Sequence, residues 1–231
     1  MRALRRWLWA VVGVGLVAGF AYVFVHAGDL LDRFAPFDLD RPPDFFTTLH
    51  LMLFRRDPER CFAALDRGHI GYERTPDVPL EEGCGYDNAA FLTRSHFAYE
   101  RRVLMRCPAL VSLLLWERHV VEPAARQDLG GRIAAIRHLG TYSCRNINHA
   151  AVGRRSQHAL ANAIDIAGFR TEDGAVISVA NDWSDPGVRG QFLHDVRNGG
   201  CRLFGVVLSP NYNALHHDHF HLDGSLASVC R

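Results

Sequence analysis

Histidines crowd a nine-residue segment near the C-terminus, residues 215–223, which reads LHHDHFHLD. Four of the chain's 13 histidines fall between positions 216 and 221. Imidazole nitrogens bind metal ions, and they also transfer protons near neutral pH. The segment is therefore a candidate for a metal site, for a metal site with catalytic histidines beside it, or for a His-rich loop with neither role.

A second segment, SQHALANAIDIAGF at residues 156–169, supplies further ligand types. Asp165 lies between Ile164 and Ile166 in an otherwise apolar stretch, and a buried carboxylate needs a cation or hydrogen-bond donors. Catalytic Zn²⁺ takes three protein ligands from His nitrogens and carboxylate oxygens and leaves a position for water. His158, Asp165 and one C-terminal histidine would make such a set.

Strand alternation separates the clustered histidines. Residues two apart on a strand share a face, so His217, His219 and His221 would point the same way. The alternation makes His219 and His221 natural partners, one as a ligand and one beside the water on the metal. His216 and Asp218 fall on the other face unless a turn redirects them.

The composition indicates a globular protein. The chain has 231 residues, of which 48% are hydrophobic and 22% charged, which suits one domain plus an extension. The net charge of +1 gives no electrostatic reason to expect nucleic acid as a partner.

The N-terminus predicts a membrane segment. Arg2, Arg5 and Arg6 precede an uncharged stretch of about 20 residues, 7–26, which is long enough to span a bilayer. We expect an uncleaved single-pass anchor in the inner (cytoplasmic) membrane, although VHA at 25–27 offers a signal-peptide cut site. Both interpretations place the rest of the chain outside the cytoplasm.

The cysteines agree with an exported domain. The six follow the apolar stretch, and they are Cys61, Cys84, Cys107, Cys144, Cys201 and Cys230. An even number of widely spaced cysteines without a C-x-x-C pair predicts up to three disulfides in an oxidising compartment. Six cysteines allow 15 pairings, and the sequence does not choose among them.

Periodicity and turn signals predict an α+β fold with a small, mostly antiparallel sheet and flanking helices. We expect helices near 44–54 and 108–119, a hairpin of 163–169 with 175–180, and a helix that ends at Gly199-Gly200. We divide the chain into a signal-anchor or transmembrane segment (1–28), a juxtamembrane tether (29–60) and a folded domain (61–231).

The two histidine-bearing segments resemble known motifs. SQHALANAID is similar to the S-x-H-x-x-G-x-A-x-D motif of zinc D-alanyl-D-alanine carboxypeptidases and their hedgehog-like relatives, and HHDHFH to their closing H-x-x-H-x-H. From Cys61 to Arg231 the chain resembles the bacterial extensin-like C-terminal domain, a branch of that superfamily, through CP, W, YSCR, ANAIDIAGF and DHFHLD. This resemblance implies a hedgehog or D-Ala-D-Ala peptidase-like fold. Ala161 replaces the motif's glycine.

The resemblance also implies roles for individual residues. It implies that His158, Asp165 and His221 bind Zn²⁺. His219 would hydrogen-bond the water on the metal, and His216 would help to stabilise the transition state.

Two further residues receive roles in the same way. Asp218 stands at the spacing of the acidic general base of some relatives, which is a glutamate there. Arg145 of TYSCR lies where relatives carry an arginine that holds substrate or an oxyanion.

These features predict a membrane-anchored, extracytoplasmic zinc peptidase or amidase whose partners are peptidoglycan stem peptides. The alternative is a zinc-stabilised module that binds the cell wall or a protein without turnover. A third interpretation is a structural histidine cluster, with Asp165 satisfied by Arg154 or Arg155.

Overall fold

The computed structural model describes residues 2–231. Its α-helices are α1 Arg2–Val25, α2 Ala27–Phe34, α3 Phe45–Phe54, α4 Pro58–Arg67, α5 Cys107–Trp116, α6 Glu122–Asp128, α7 Val179–Asp182 and α8 Val188–Gly200. Its strands are β1 Gly71–Arg74, β2 Val78–Glu81, β3 Cys84–Tyr86, β4 Ala89–Arg94, β5 Ala98–Tyr99, β6 Val103–Arg106, β7 Ile133–Gly140, β8 Ala163–Thr171, β9 Val176–Ser178, β10 Val206–Leu208, β11 Phe220–Asp223 and β12 Val229–Cys230.

The strands form one central sheet and two small ones. The central sheet has the order β12-β10-β11-β8-β7-β5, with β9 paired to β8, and the small sheets are β1-β4-β6 and β2-β3. The pairs β5–β7 and β10–β12 are parallel and the others are antiparallel. The mixed α+β class and the mostly antiparallel pairing are therefore confirmed, as is the hairpin of β8 and β9.

Helix α5 lies at the centre of the core. Nine of its ten residues are buried, all but Pro108, and the Trp116 indole donates a hydrogen bond of 2.8 Å to the Val196 carbonyl of α8. The helical run predicted at 108–119 extends further, through a π-helical turn at Glu117–Val121 into α6. Pro123 did not end the run, because a proline is tolerated in the first turn of α6, where its missing N–H is not needed.

The first helix stands apart in composition. Residues Arg5–Val25 are exposed and apolar, and their length and composition suit a membrane span or a signal sequence. The helix expected near 44–54 is confirmed as α3, whose N-terminus is capped by Asp44 and Thr47 in a reciprocal pair of hydrogen bonds.

The segment after α1 contacts the folded core. Phe37, Leu39 and Phe54 are buried and belong to the same apolar cluster as α5. Arg60 of α4 forms ion pairs with Asp29 and Asp32, which lie on α2. The boundary at residue 61 between tether and domain stays a prediction.

Three disulfides crosslink the domain, as the cysteine count predicts. They join Cys61 to Cys107, Cys84 to Cys144, and Cys201 to Cys230. The second one ties β3 to the segment that carries Arg145, so it restrains the backbone beside the histidine site.

Candidate metal centre

Two adjacent strands and one short helix bring the ligand types together. Strands β8 and β11 pair in antiparallel register, and this register places Asp165 directly opposite His221. His158 lies on a 3₁₀ turn, Gln157–Leu160, immediately before β8. The three side chains are buried, and they form a group that could hold a metal ion.

The donor atoms of this group converge on one point. The Asp165 Oδ1 atom lies 3.0 Å from Nε2 of His158 and 2.9 Å from Nδ1 of His221, and the two nitrogens are 3.1 Å apart. In a tetrahedral zinc site with bonds of about 2.0–2.1 Å, ligand atoms are about 3.3 Å apart. A shift of a few tenths of an ångström would therefore fit zinc, and two nitrogens with one carboxylate oxygen are a zinc donor set.

Each histidine of the group also has a partner on its other ring nitrogen. Nδ1 of His158 lies 2.9 Å from the Thr141 carbonyl oxygen, and Nε2 of His221 lies 3.2 Å from Oδ2 of Asp223. A carbonyl oxygen only accepts, so Nδ1 of His158 carries the proton and Nε2 is free to bind a metal.

The surroundings of Asp165 keep its carboxyl ionised, which is the form that binds a metal ion. In the metal-free chain, burial raises the pKa of the Asp165 carboxyl, but the hydrogen bonds and charges of His158 and His221 outweigh burial and hold that pKa far below its usual range. Arg145 adds a guanidinium whose Nη2 lies 3.4 Å from Oδ2. Burial lowers the pKa of His221, whereas Asp165 and Asp223 raise it, to about 9.

The arginine beside Asp165 is therefore Arg145 and not Arg154 or Arg155, the partners that a purely structural cluster would have used. Arg155 bonds instead to the Glu82 carbonyl and to Asn146. The aspartate is satisfied mainly by the two histidines, which are themselves ligand types.

The chain matches the family model described as Extensin-like protein C-terminus over residues 59–231, which is most of its length. The protein belongs to the extensin-like C-terminal domain family. A search of curated proteins and a search of solved structures find no match.

The extensin-like domain places His219 next to the ligand group. Its Nε2 is 3.7 Å from Oδ1 of Asp165, and its Nδ1 is 2.8 Å from Oδ1 of Asp218. The carboxylate of Asp218 thus contacts His219, at the nitrogen that faces away from the ligand atoms. His219 precedes β11, and His217, to which the sequence assigned no role, is exposed.

His216 reaches the site because it lies on a 3₁₀ turn, Ala214–His216, and so escapes strand alternation. Its Nδ1 lies 2.7 Å from Oδ1 of Asn213, an oxygen that also accepts from the Leu215 N–H. Burial and the neighbouring His219 lower the pKa of His216 to about 4. A neutral His216 with this bond presents an unprotonated Nε2, which accepts hydrogen bonds and does not donate them.

Two cavities of the extensin-like domain meet at the site. One of about 290 Å³ is lined by His158, Asp165 and His219, and another of about 420 Å³ by His221, Arg154 and Arg155. They share three lining residues, which are Arg145, Asn148 and His216. The ligand group therefore forms part of the wall of a two-sided cleft.

Ala161 stands where the motif that this segment resembles has a glycine, and its backbone conformation is one that favours glycine. Ala161 is buried with φ of +49°, a left-handed conformation that glycine adopts freely. Alanine costs about 1 kcal/mol there. The turn that carries His158 nevertheless forms, because the N–H of Ala161 bonds to the His158 carbonyl.

The sequence did not assign Asn213, Thr141 or Asp223. Asp223 offered a signal, since it stands two residues after His221 and so shares its face of β11. Thr141 acts through its backbone, for which side-chain patterns carry no signal.

Proposed function

We propose that this protein is a zinc-dependent peptidase or amidase that acts on peptidoglycan peptides outside the cytoplasm. One observation carries the proposal: two histidine nitrogens and a carboxylate oxygen converge within about 3 Å at the wall of an open cleft. The likeness of its two motifs to those of zinc D-alanyl-D-alanine carboxypeptidases supports the same chemistry.

His158, Asp165 and His221 would hold the zinc ion. Bound zinc supplies a Lewis acid for the scissile carbonyl and lowers the pKa of a coordinated water to about 7.

His219 is the best placed general base. Its Nε2 lies near the ligand atoms, and the Asp218 carboxylate accepts a hydrogen bond from its Nδ1–H. This pairing holds the ring in the form whose Nε2 can take a proton, and it stabilises the imidazolium that results. The same Nε2 then returns the proton to the leaving amine. Asp218 acts through His219 in this scheme.

Arg145 and His216 would make opposite kinds of hydrogen bond to the substrate, Arg145 as a donor and His216 as an acceptor. The Arg145 guanidinium is a permanent cation on the shared wall of the cleft and would stabilise the developing oxyanion. His216 would accept a hydrogen bond from a substrate N–H, because Asn213 holds its other nitrogen as a donor. Transition-state donation by His216, which the resemblance implies, would require its protonation.

The cleft supports an extended substrate. A peptide could cross the shared wall with residues on both sides of the scissile bond, and the larger cavity presents Arg154 and Arg155. Peptidoglycan stem peptides carry free carboxylates, which arginines bind well. We propose that α1 is retained as a single-pass anchor in the inner membrane, with the domain facing the cell wall.

The test uses the detergent-solubilised full chain loaded with zinc. Digestion of purified peptidoglycan, followed by mass spectrometry, should release defined peptide fragments. His221→Ala should abolish release, whereas His217→Ala, a matched change at an exposed neighbour, should leave it unchanged.

Two results would contradict the proposal in different ways. A wild-type chain that binds zinc and cell wall but releases no fragment would be a zinc-stabilised binding module. A wild-type chain that binds no zinc would contradict the metal site itself.

A further inference from the structure

Asp223 is a buried carboxylate at the end of β11. It stands two residues after His221, so both side chains project from the same face of the strand. The proposed reaction uses His221 as a metal ligand and gives Asp223 no part.

Both oxygens of Asp223 have defined partners. Oδ2 lies 3.2 Å from Nε2 of His221, and Oδ1 accepts the backbone N–H of Ser225 at 2.9 Å. The second bond fixes the carboxylate in a turn with its chain neighbour. The orientation of the carboxylate is thus set by the backbone, and it sets the orientation of the histidine in turn.

We infer that Asp223 is a positioning residue that holds the proton of His221 on Nε2 and thereby makes Nδ1 the metal-binding atom. The inference rests on the metal site of the proposed function. A carboxylate in contact with a metal-binding histidine fixes the tautomer and the ring orientation and makes the ligand more basic.

The two histidines of the site are held in opposite senses. His158 donates from Nδ1 to the Thr141 carbonyl and offers Nε2, whereas His221 donates from Nε2 to Asp223 and offers Nδ1. A ring bound through Nδ1 brings its ligand atom closer to its own backbone. This suits His221, which lies on a strand paired directly with that of Asp165.

An amide cannot replace Asp223 in this role. Asparagine has the same shape, but it carries one acceptor oxygen and one NH₂ donor, whereas Asp223 accepts from two donors. If the amide oxygen faced Ser225, the NH₂ group would face Nε2 of His221 and favour the tautomer with the proton on Nδ1. If the oxygen faced His221, two donors would meet at Ser225.

The experiment measures zinc affinity of the full chain in detergent micelles by competition with a chromophoric chelator. Asp223→Asn should weaken zinc binding by about 10–100-fold, the usual effect of losing such a contact. The Co²⁺-substituted chain should also show an altered d–d absorption spectrum, which a purely structural role would not change.

Asp185→Asn is the matched control. Asp185 accepts the N–H of Gly187, also two residues on, at 3.0 Å, and it has no histidine partner among the described residues. The substitution removes the same charge from the same kind of turn. It should leave the zinc affinity and the Co²⁺ spectrum unchanged.

A measurement on the wild-type chain tests the same inference without a substitution. Long-range ¹H–¹⁵N spectra of the zinc-loaded protein should place the metal on Nδ1 and the proton on Nε2 of His221. Metal on Nε2, or equal zinc affinities for Asp223→Asn and Asp185→Asn, would overturn this inference alone. A wild-type chain without zinc affinity would overturn the proposed function as well.

Discussion

Two buried carboxylates of this protein have opposite surroundings. Asp165 faces two histidines and the Arg145 guanidinium. Glu117, in the π-helical turn after α5, faces neutral donors: the Tyr99 hydroxyl at 2.5 Å, and the Ser95 hydroxyl and the His96 backbone N–H at 3.2 Å each. One carboxylate has partners that are or can become cations, and the other has dipoles alone.

Their pKa values move apart for this reason. Burial raises the pKa of Glu117 to about 7, because the neutral donors offset only part of the desolvation. At Asp165 the histidines reverse the effect of burial. Burial of a carboxylate therefore does not by itself mark a metal site. Asp165 stays ionised and lies beside two other ligand types, His158 and His221, whereas Glu117 holds the 95–99 segment against the core.

Removal of the Asp165 charge is the strongest way to test this contrast. We expect Asp165→Asn to weaken zinc binding by more than the roughly 100-fold that a supporting contact contributes, because a direct ligand is lost. Chelator competition measures the change. Glu117→Gln is the control and should bind zinc as the wild type does; equal loss in both variants would erase the distinction between the two carboxylates.

The two carboxylates should also give opposite pH dependences of stability. The folded-state pKa of Glu117 lies above its unfolded value of about 4.5, so its contribution is full below that pH and is lost as the pH rises through about 7. A shift of this size corresponds to roughly 3 kcal/mol. The folded-state pKa of Asp165 is depressed, so its contribution is lost as the pH falls below about 4.

Chemical denaturation of the metal-free chain between pH 3 and pH 8 measures both effects. The part of the wild-type free energy of unfolding that is lost between pH 4.5 and pH 7 because of Glu117 should be absent in Glu117→Gln. Asp165→Asn should remove the loss on the acid side only. A single common window for both variants would contradict the assigned partners.

A substitution of Arg145 tests whether this arginine acts on the substrate or supports metal binding by Asp165. Arg145→Gln should reduce peptide release by about 100-fold, as loss of an oxyanion donor does. Zinc affinity should change little, because Arg145 contacts Oδ2 and the converging ligand atom is Oδ1. Arg170→Gln, a change at an exposed arginine on β8, the strand that carries Asp165, is the control. A large loss of zinc affinity in Arg145→Gln would mean that Arg145 supports the metal instead.

The smallest effect concerns one donor to Glu117. Tyr99→Phe removes the hydroxyl and should lower the free energy of unfolding by about 1 kcal/mol, with a larger loss at pH 8 than at pH 5. The difference follows because an ionised carboxylate depends more on each donor. Tyr142→Phe, at a partly exposed tyrosine, should have no such effect; a pH-independent loss in Tyr99→Phe would show that Glu117 stays neutral.

The sequence was a better guide to the three ligand residues than to the residues that surround them. The apolar setting of Asp165 and the alternation of the histidines grouped His158 and Asp165 with one C-terminal histidine, and the resemblance to known motifs implied that this histidine is His221. The roles assigned to His219, His216, Asp218 and Arg145 stay predictions, although these side chains lie at or beside the cleft. Strand parity alone would put His216 on the other face, but a 3₁₀ turn follows the run SPNYN and redirects it, which is the exception that the sequence left open.

Other features could not be read from local patterns. The hydrogen-bond partners of Glu117 lie on a segment about 20 residues earlier in the chain, and no sequence pattern around position 117 predicts them. The cysteine pairing needed the folded backbone to choose among 15 arrangements. Long-range proximity decides all of these, whereas local periodicity was sufficient for α3, α8 and the β8–β9 hairpin.

The packing of residues 35–54 against the core limits the distance between α1 and the folded domain. A flexible chain of the length of 29–60 would let the domain wander by about 30 Å. With Phe37, Leu39 and Phe54 buried and Arg60 paired to Asp29, little slack is left between α1 and the domain. Where α1 is retained in a membrane, the cleft would stay at a nearly constant distance from the membrane surface. A substrate would then have to lie at that distance as well as carry the right chemistry.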